Sequence, residues 1–308
     1  MTVTDIAIVG VGKIARDQHV PAIAADPRFR LAATVSRSGG VEGVENFDTL
    51  DALLASRPKI GAVSLCMPPQ ARFEPARAAL AAGRHVMLEK PPGATLAEVE
   101  TLTRLASDGG QTLFATWHSR HAAAVAPAKD WLATRTVRRV AIVWREDVRR
   151  WHPGQDWIWE PGGLGVFDPG INALSIMTEI LPVPLHLTGA ELEVPANRQT
   201  PIAVRLAFAG PGGATGTADF DWRQEGPQTW EIEVETDKGS LRLTEGGAGM
   251  AVDGSPVAVE TQGEYPGLYA RFADLIARGA SDADTRPLMQ VADAFMLGRR
   301  IPTDEFHD

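Results

Sequence analysis

The stretch Asp5-Ile-Ala-Ile-Val-Gly-Val-Gly-Lys-Ile-Ala15 sets a short apolar strand directly before Gly10 and Gly12, with a helical pattern running on from Lys13 to Ala25. Strand, glycine turn and helix start in that order are the parts of a dinucleotide-binding fingerprint. Gly10 permits the tight turn, Gly12 lets the backbone approach a pyrophosphate, and Ala15 in the third position keeps the helix close to the strand. The first helical turn, with Lys13 and Ile14, then offers N–H groups to the phosphates. A plain turn is the competing reading, and the strand before and helix after it favour the cofactor.

The next strand, Arg30–Ser36, ends about where an NAD-binding domain carries an acid for the ribose 2′-hydroxyl, and here Ser36-Arg37 stands in its place. A hydroxyl and a guanidinium can bind a 2′-phosphate that a carboxylate would repel. NADP is therefore the expected cofactor, with NAD a weaker one; the alternative is a surface arginine in a βα loop. Further on, the strand His85-Val-Met-Leu is followed by Glu89-Lys90-Pro91-Pro92. The two prolines stop the strand, and a lysine at that carboxyl edge faces whatever the sheet binds. A solvated surface lysine is the plain alternative. Cys66 and Pro68, at the end of strand Lys59–Cys66, join Glu89 and Lys90 as expected cofactor contacts.

Strands near Asp5–Val9, Arg30–Ser36, Lys59–Cys66, His85–Glu89 and Thr112–Thr116 alternate with helices near Lys13–Ala25, Leu50–Ala55, Ala71–Ala82 and Thr95–Ser107. That rhythm predicts a doubly wound parallel sheet, an α/β Rossmann domain over residues 1–120. After the segment Ala122–Thr136 the pattern changes. A strand at Val137–Arg145, a tryptophan-rich loop and a helix near Leu164–Ile180 precede strands near Leu185–Val194, Ile202–Phe208, Ala214–Trp222, Thr229–Thr236 and Ser240–Leu243. Strands without intervening helices predict an antiparallel sheet, hence an α+β domain over 121–308 that ends in helices Tyr265–Arg278 and Arg286–Arg299.

With 308 residues, 44% apolar and 22% charged, the composition is that of a soluble two-domain protein. A net charge of −9 without basic runs argues against nucleic acid or another polyanion as partner. Cys66 is the only cysteine, which excludes an intramolecular disulfide and a cysteine-rich metal site. The histidines show no metal-ligand spacing, so no metal is expected. No run reaches eighteen apolar residues and no leader pattern opens the chain, so the expectation is a cytoplasmic protein away from membranes.

The chemistry of the second half centres on Gly162-Gly163-Leu-Gly165-Val-Phe-Asp168-Pro-Gly170-Ile-Asn172. On a helix, Asp168 and Asn172 share one face, so a carboxylate and an amide project together. The alternative makes Asp168 an N-cap and Asn172 its buried neighbour. Just upstream lie Glu146, Arg149, Arg150, His152 and the tryptophans 144, 151, 157 and 159. Aromatic planes beside carboxylate, imidazole and guanidinium groups suit a sugar, with simple core packing as the alternative.

Together, the Gly10–Ala15 loop, Glu89-Lys90-Pro91 and the Gly-Gly…Asp-Pro-Gly-Ile-Asn helix resemble the glucose–fructose oxidoreductase, inositol dehydrogenase and rhizopine catabolism family over nearly the whole chain. The strings Gly12–His19, Ala115–Arg120 and Trp144–Asn172 are most similar to its bacterial L-arabinose/D-galactose 1-dehydrogenase branch. That resemblance implies a Rossmann domain, a C-terminal domain with a large mostly antiparallel sheet, and catalysis in the cleft between them. It also implies oxidation of the anomeric hydroxyl of L-arabinose, D-galactose or D-fucose to a 1,4- or 1,5-lactone, by hydride transfer to nicotinamide. Lys90, Asp168 and Asn172 would be catalytic, and Glu146, His152, Trp151, Trp117 and His118 would bind the sugar. The family usually has histidine where Asn172 stands, and an amide orients a hydroxyl but is a poor base. Oxidation at another sugar or cyclitol carbon, or a non-catalytic NADP-binding redox sensor, are the rival functions. The expected partner is a small aldose, and a homodimer through the C-terminal sheet is compatible with this reading.

Overall fold

The computed structural model describes residues 3–260 and 263–307, and the chain divides into two compact units. The first comprises the residues up to His118 together with Glu264–Thr285; the second comprises Ser119–Gly263 and the residues from Arg286 onward.

The first unit is built on a six-stranded parallel sheet, in the order Asn46–Phe47, Phe29–Val35, Thr4–Val9, Ala62–Leu65, His85–Leu88, Leu113–Ala115. The order reverses between Thr4–Val9 and Ala62–Leu65, the switch point at which α/β sheets bind ligands. Burial on both faces explains the apolar run Ile6–Val9 of the first strand. Ala7 and Val9 join one core with Val63, Leu65, Leu88 and Leu102, whereas Ile6 and Ile8 join another with Ala62, Met87 and Phe114. The two-residue strand Asn46–Phe47 was not expected, because two residues carry no periodic signal.

Helix Glu264–Arg278 lies in the first unit, although residues 121–308 were all expected in the second domain. Its apolar stripe Tyr265, Leu268, Tyr269, Phe272 and Leu275 packs on the Ile6/Ile8 face of the sheet. From the first helix that face receives little more than Ala15, Ala22 and Ile23. A second helix must cover the rest, and the chain returns to supply it. Beyond that helix, Asp282 extends the edge strand, with the Ala115 N–H donating to its carbonyl at 2.9 Å.

The second unit holds a nine-stranded mixed sheet in the order Ser255–Val257, Gly249–Val252, Gly239–Thr244, Thr229–Thr236, Val137–Arg145, Thr215–Asp221, Ala203–Ala209, His186–Pro195, Arg299–Thr303. Its pairs are antiparallel, except that Thr215–Asp221 runs parallel to Val137–Arg145 and Arg299–Thr303 runs parallel to His186–Pro195. Gly249–Val252 and Ser255–Val257 lie beyond the last strand expected, Ser240–Leu243. They form a hairpin closed by Asp253-Gly254, both at positive φ, the backbone required by a tight two-residue turn. Helix Val125–Leu132 occupies the segment that had no assigned structure. Among the described residues no helix is long and apolar enough to cross a membrane.

Helix Phe167–Ile180 is buried along most of its length and carries the Asp168 motif. It approaches the sheet so closely at Gly170 that a Cβ there would lie 2.4 Å from Cδ2 of Phe220, a fully buried ring set edge-on to Phe167. Gly170→Ala is therefore expected to lower stability by about 1–3 kcal/mol, read as a lower denaturation midpoint at unchanged m-value. An unchanged midpoint would contradict this packing.

Candidate active site

In the first unit the expected cofactor residues lie at or beside the carboxyl edge of the parallel sheet. Gly10 has φ +89° and donates its N–H to the Val35 carbonyl at 2.9 Å; a Cβ there would come within 2.9 Å of the Met67 nitrogen. Gly12 is different, since a Cβ built on it meets nothing within 4 Å. Helix begins at Lys13, with a π-helical turn over Ala15–His19, and its first N–H groups border that open space. This cradle fits a dinucleotide pyrophosphate. Lys13 is exposed and pairs with Asp17, and Ile14 is partly exposed. Ser36 is buried, its hydroxyl accepting the Ser38 N–H at 3.3 Å, while Arg37 is exposed on the same loop. Arg16, which the sequence reading missed, donates to the carbonyls of Gly39 and Gly40 at 3.2 and 3.0 Å. A basic residue one turn after the glycine loop was the available signal. Cys66 is half-buried and Pro68 exposed, at the end of Ala62–Leu65.

Glu89 was expected to touch the cofactor, and the structure turns it inward. Its Oε1 accepts from the Tyr265 hydroxyl at 2.9 Å and from His19 Nε2 at 3.0 Å, and its Oε2 accepts the Lys90 N–H at 2.8 Å. A carboxylate this deeply buried needs such donors. Burial alone would raise its pKa, but His19, with help from His118 and Tyr265, holds it down to about 2. Burial likewise pulls the His19 imidazole down; Cys66, Tyr269 and Glu89 outweigh that pull and hold it well above its ordinary value. As an imidazolium, His19 donates from Nε2 to Glu89 and from Nδ1 to the Tyr269 hydroxyl, 2.8 Å away. Lys90 is half-buried at the strand end, joined to Pro91 by a cis peptide. Trp117, expected to form a wall for the sugar, is 3% exposed and donates its indole N–H to the Asp284 carbonyl at 2.9 Å, so it belongs to the core. His118 is half-buried, stacked on Tyr265 and 2.8 Å from Glu264.

In the second unit the structure brings Glu146, His152 and Asp168 together. His152 Nε2 lies 3.4 Å from Glu146 Oε1, and its Nδ1 lies 3.7 Å from Asp168 Oδ2. Both carboxylates are buried. Glu146 accepts the indole N–H groups of Trp222 and Trp230 at 3.3 and 2.9 Å, which fix its carboxylate beside the imidazole. Asp168 is not the helix cap. Val166 holds that position, and Asp168 sits in the first turn, where the helix dipole favours a carboxylate. Asn172, half-buried one turn later, presents its amide on the same helix. Trp151 is 40% exposed and edge-on to Trp230, whereas Trp144 and Trp159 are buried. The tryptophan cluster thus divides between core and surface.

Two outcomes follow from this geometry. Gly12→Ala should keep the thermal midpoint and weaken dinucleotide binding, measured by titration calorimetry, because the methyl group enters only the open cradle; unchanged affinity would move the phosphate elsewhere. The buried pair sets a pH window. Depression of Glu89 contributes stability that is present above its ordinary value of 4.5 and lost as pH falls toward about 2. Elevation of His19 contributes stability that is full below 6.5 and lost only as pH rises through its raised value. The destabilisation caused by Glu89→Gln should thus be greatest between pH 5 and 6.5 and shrink on acidification, in melts across pH 3–7. A pH-independent difference would contradict an ionised Glu89.

Comparison with known proteins agrees with this architecture. A family model described as oxidoreductase family, NAD-binding Rossmann fold, matches residues 4–116. The galactose 1-dehydrogenase of Pseudomonas fluorescens is 47% identical over 305 residues, covering 98% of each chain. The crystal structure of a D-galactose-1-dehydrogenase protein from Rhizobium etli matches with a TM-score of 0.96 at 56% identity, covering 100% of this chain and 99% of that one. A 3-ketoreductase from Actinomadura kijaniata in complex with NADP and TDP-benzene shares the fold, with a TM-score of 0.84 at 21% identity over 98% and 100% of the two chains. With a relative this similar along its whole length, the chain belongs to the glucose–fructose oxidoreductase, inositol dehydrogenase and rhizopine catabolism family.

Proposed function

We propose that the protein is an NAD(P)-dependent aldose 1-dehydrogenase that oxidises the anomeric hydroxyl of a galactose-type aldopyranose to the lactone. The observation that carries this reading is the 47% identity, end to end, with a galactose 1-dehydrogenase. D-Galactose, L-arabinose and D-fucose differ only around C5, so one set of side chains can serve all three. The bound nicotinamide would accept the hydride from C1.

The protein's own task is to hold C1 in place and take the O1 proton. Lys90 and Asp168 are the proposed pair for that proton: one accepts it while the other hydrogen-bonds O1. Asp168 is suited to the role by its buried carboxylate at a helix start. Glu146 would hold His152 toward a ring hydroxyl, and Asn172 would orient another, with Trp151 offering an aromatic face. Ser36 and Arg37 would bind the 2′-phosphate of NADP, on a loop that Arg16 fastens through Gly39 and Gly40.

Lys90→Ala is expected to fold, bind dinucleotide and lose at least ~100-fold in turnover, the scale of acid–base assistance. Asp168→Asn should do comparable damage, and near-parental turnover by either variant would remove that residue from the chemistry. For the cofactor, NADP should exceed NAD by about ten- to a hundredfold in kcat/KM. Arg37→Ala should raise KM for NADP and leave NAD kinetics unchanged; equal loss with both would mean that Arg37 does not read the 2′-phosphate. A ketosugar product from D-galactose would overturn the reaction itself.

A further inference from the structure

Arg72 takes no part in the roles assigned above, yet it is 2% exposed, a rare degree of burial for a guanidinium. It follows the turn Pro69–Ala71 and immediately precedes helix Phe73–Ala81. Its Nη1 donates to the main-chain carbonyls of Glu89 and Pro91, the residues on either side of Lys90. Its Nη2 donates to the carbonyl of Met67, the residue whose backbone abuts Gly10. From the opposite direction the Glu89 carboxylate takes the Lys90 N–H at 2.8 Å, and that carboxylate is itself fixed by His19 and Tyr265.

We propose that Arg72 is a positioning residue for Lys90. Together with the Glu89 carboxylate it fixes the lysine backbone at two peptide groups, holding both the C=O and the N–H of Glu89–Lys90 and the C=O of Pro91–Pro92, and through Met67 it ties that backbone to the glycine loop. A planar fork can bind carbonyls in different loops at once, whereas an ammonium on a single stem cannot match that fan of donors. Displacing a catalytic group by about 1 Å costs on the order of a hundredfold in rate. A lysine on a long, flexible side chain gains most from a rigid root. The proposal rests on the reading of Lys90 as a proton-handling group.

The test is Arg72→Lys, which keeps the charge and removes the fork. Hydrogen exchange is followed at the Lys90 amide, dinucleotide affinity by calorimetry, and kcat and KM with D-galactose, in the parent and in the Lys90→Ala background. Exchange at the Lys90 amide should accelerate at least ~10-fold and kcat should fall by ~10- to 100-fold, with both KM values and the dinucleotide Kd within about threefold. In the Lys90→Ala background the same substitution should cost less than about threefold, because the group it positions is gone. Unchanged exchange, or an equal loss of kcat in both backgrounds, overturns the proposal. If Arg72→Lys does not fold, the parent decides alone: a Lys90 amide exchanging at the rate of an open loop is not anchored, and the proposal falls. Failure of the Lys90 reading shows separately, as near-parental turnover of Lys90→Ala itself.

Discussion

A single buried carboxylate organises the first unit. Glu89 collects hydrogen bonds from His19 in the first helix, Tyr265 in the helix Glu264–Arg278 and the main chain of Lys90. His19 and Tyr265 are 70 and 176 residues from it in the chain, yet they meet at one carboxylate oxygen. An uncompensated carboxylate at that depth costs several kcal/mol, so the donors must be present before the strand end is stable. This requirement accounts for an ionisable His19 inside an apolar core and for tyrosines, rather than phenylalanines, on the apolar stripe of the returning helix. Burial and the neighbouring carboxylate hold the Tyr265 phenol well above its ordinary value, so it stays a neutral donor.

The second unit applies the same logic with different residues. Glu146 is buried and receives two indole N–H groups, from Trp222 and Trp230, and stands 3.4 Å from His152. Tryptophan supplies a donor while adding apolar area, which explains why this region is rich in it without all of it facing solvent. The result is an imidazole held between two carboxylates, of which Asp168 begins the helix Phe167–Ile180. Close packing at Gly170 fixes that helix against the sheet, so the position of Asp168 is determined by the core behind it.

Local signals in the chain were enough for the parallel sheet, its glycine turn and most of the second sheet, because alternation and helical period act over five to fifteen residues. They were not enough where a partner lies far along the chain. Helix Glu264–Arg278 has an apolar stripe that could cover either sheet, and only the half-covered Ile6/Ile8 face decides for the first. Arg299–Thr303 lacks alternation and contains Pro302, a residue tolerated at the sheet edge it occupies. In the candidate sites, residue types singled out Lys90, Asp168, Glu146 and His152 for attention, but not the direction each faces. Glu89 turned inward and Trp117 joined the core because each found a buried partner that no spacing rule encodes. His19 and Arg72 act through buried pairs or main-chain carbonyls, contacts that leave no motif.

The most direct test follows the hydride. D-Galactose carrying deuterium at C1 is incubated with the protein and NADP, and the reduced cofactor and the sugar product are examined by NMR. Oxidation at the anomeric carbon requires deuterium at C4 of the reduced nicotinamide and a lactone without deuterium. Unlabelled NADPH together with a product that retains deuterium at C1 would place the chemistry at another carbon and contradict the account.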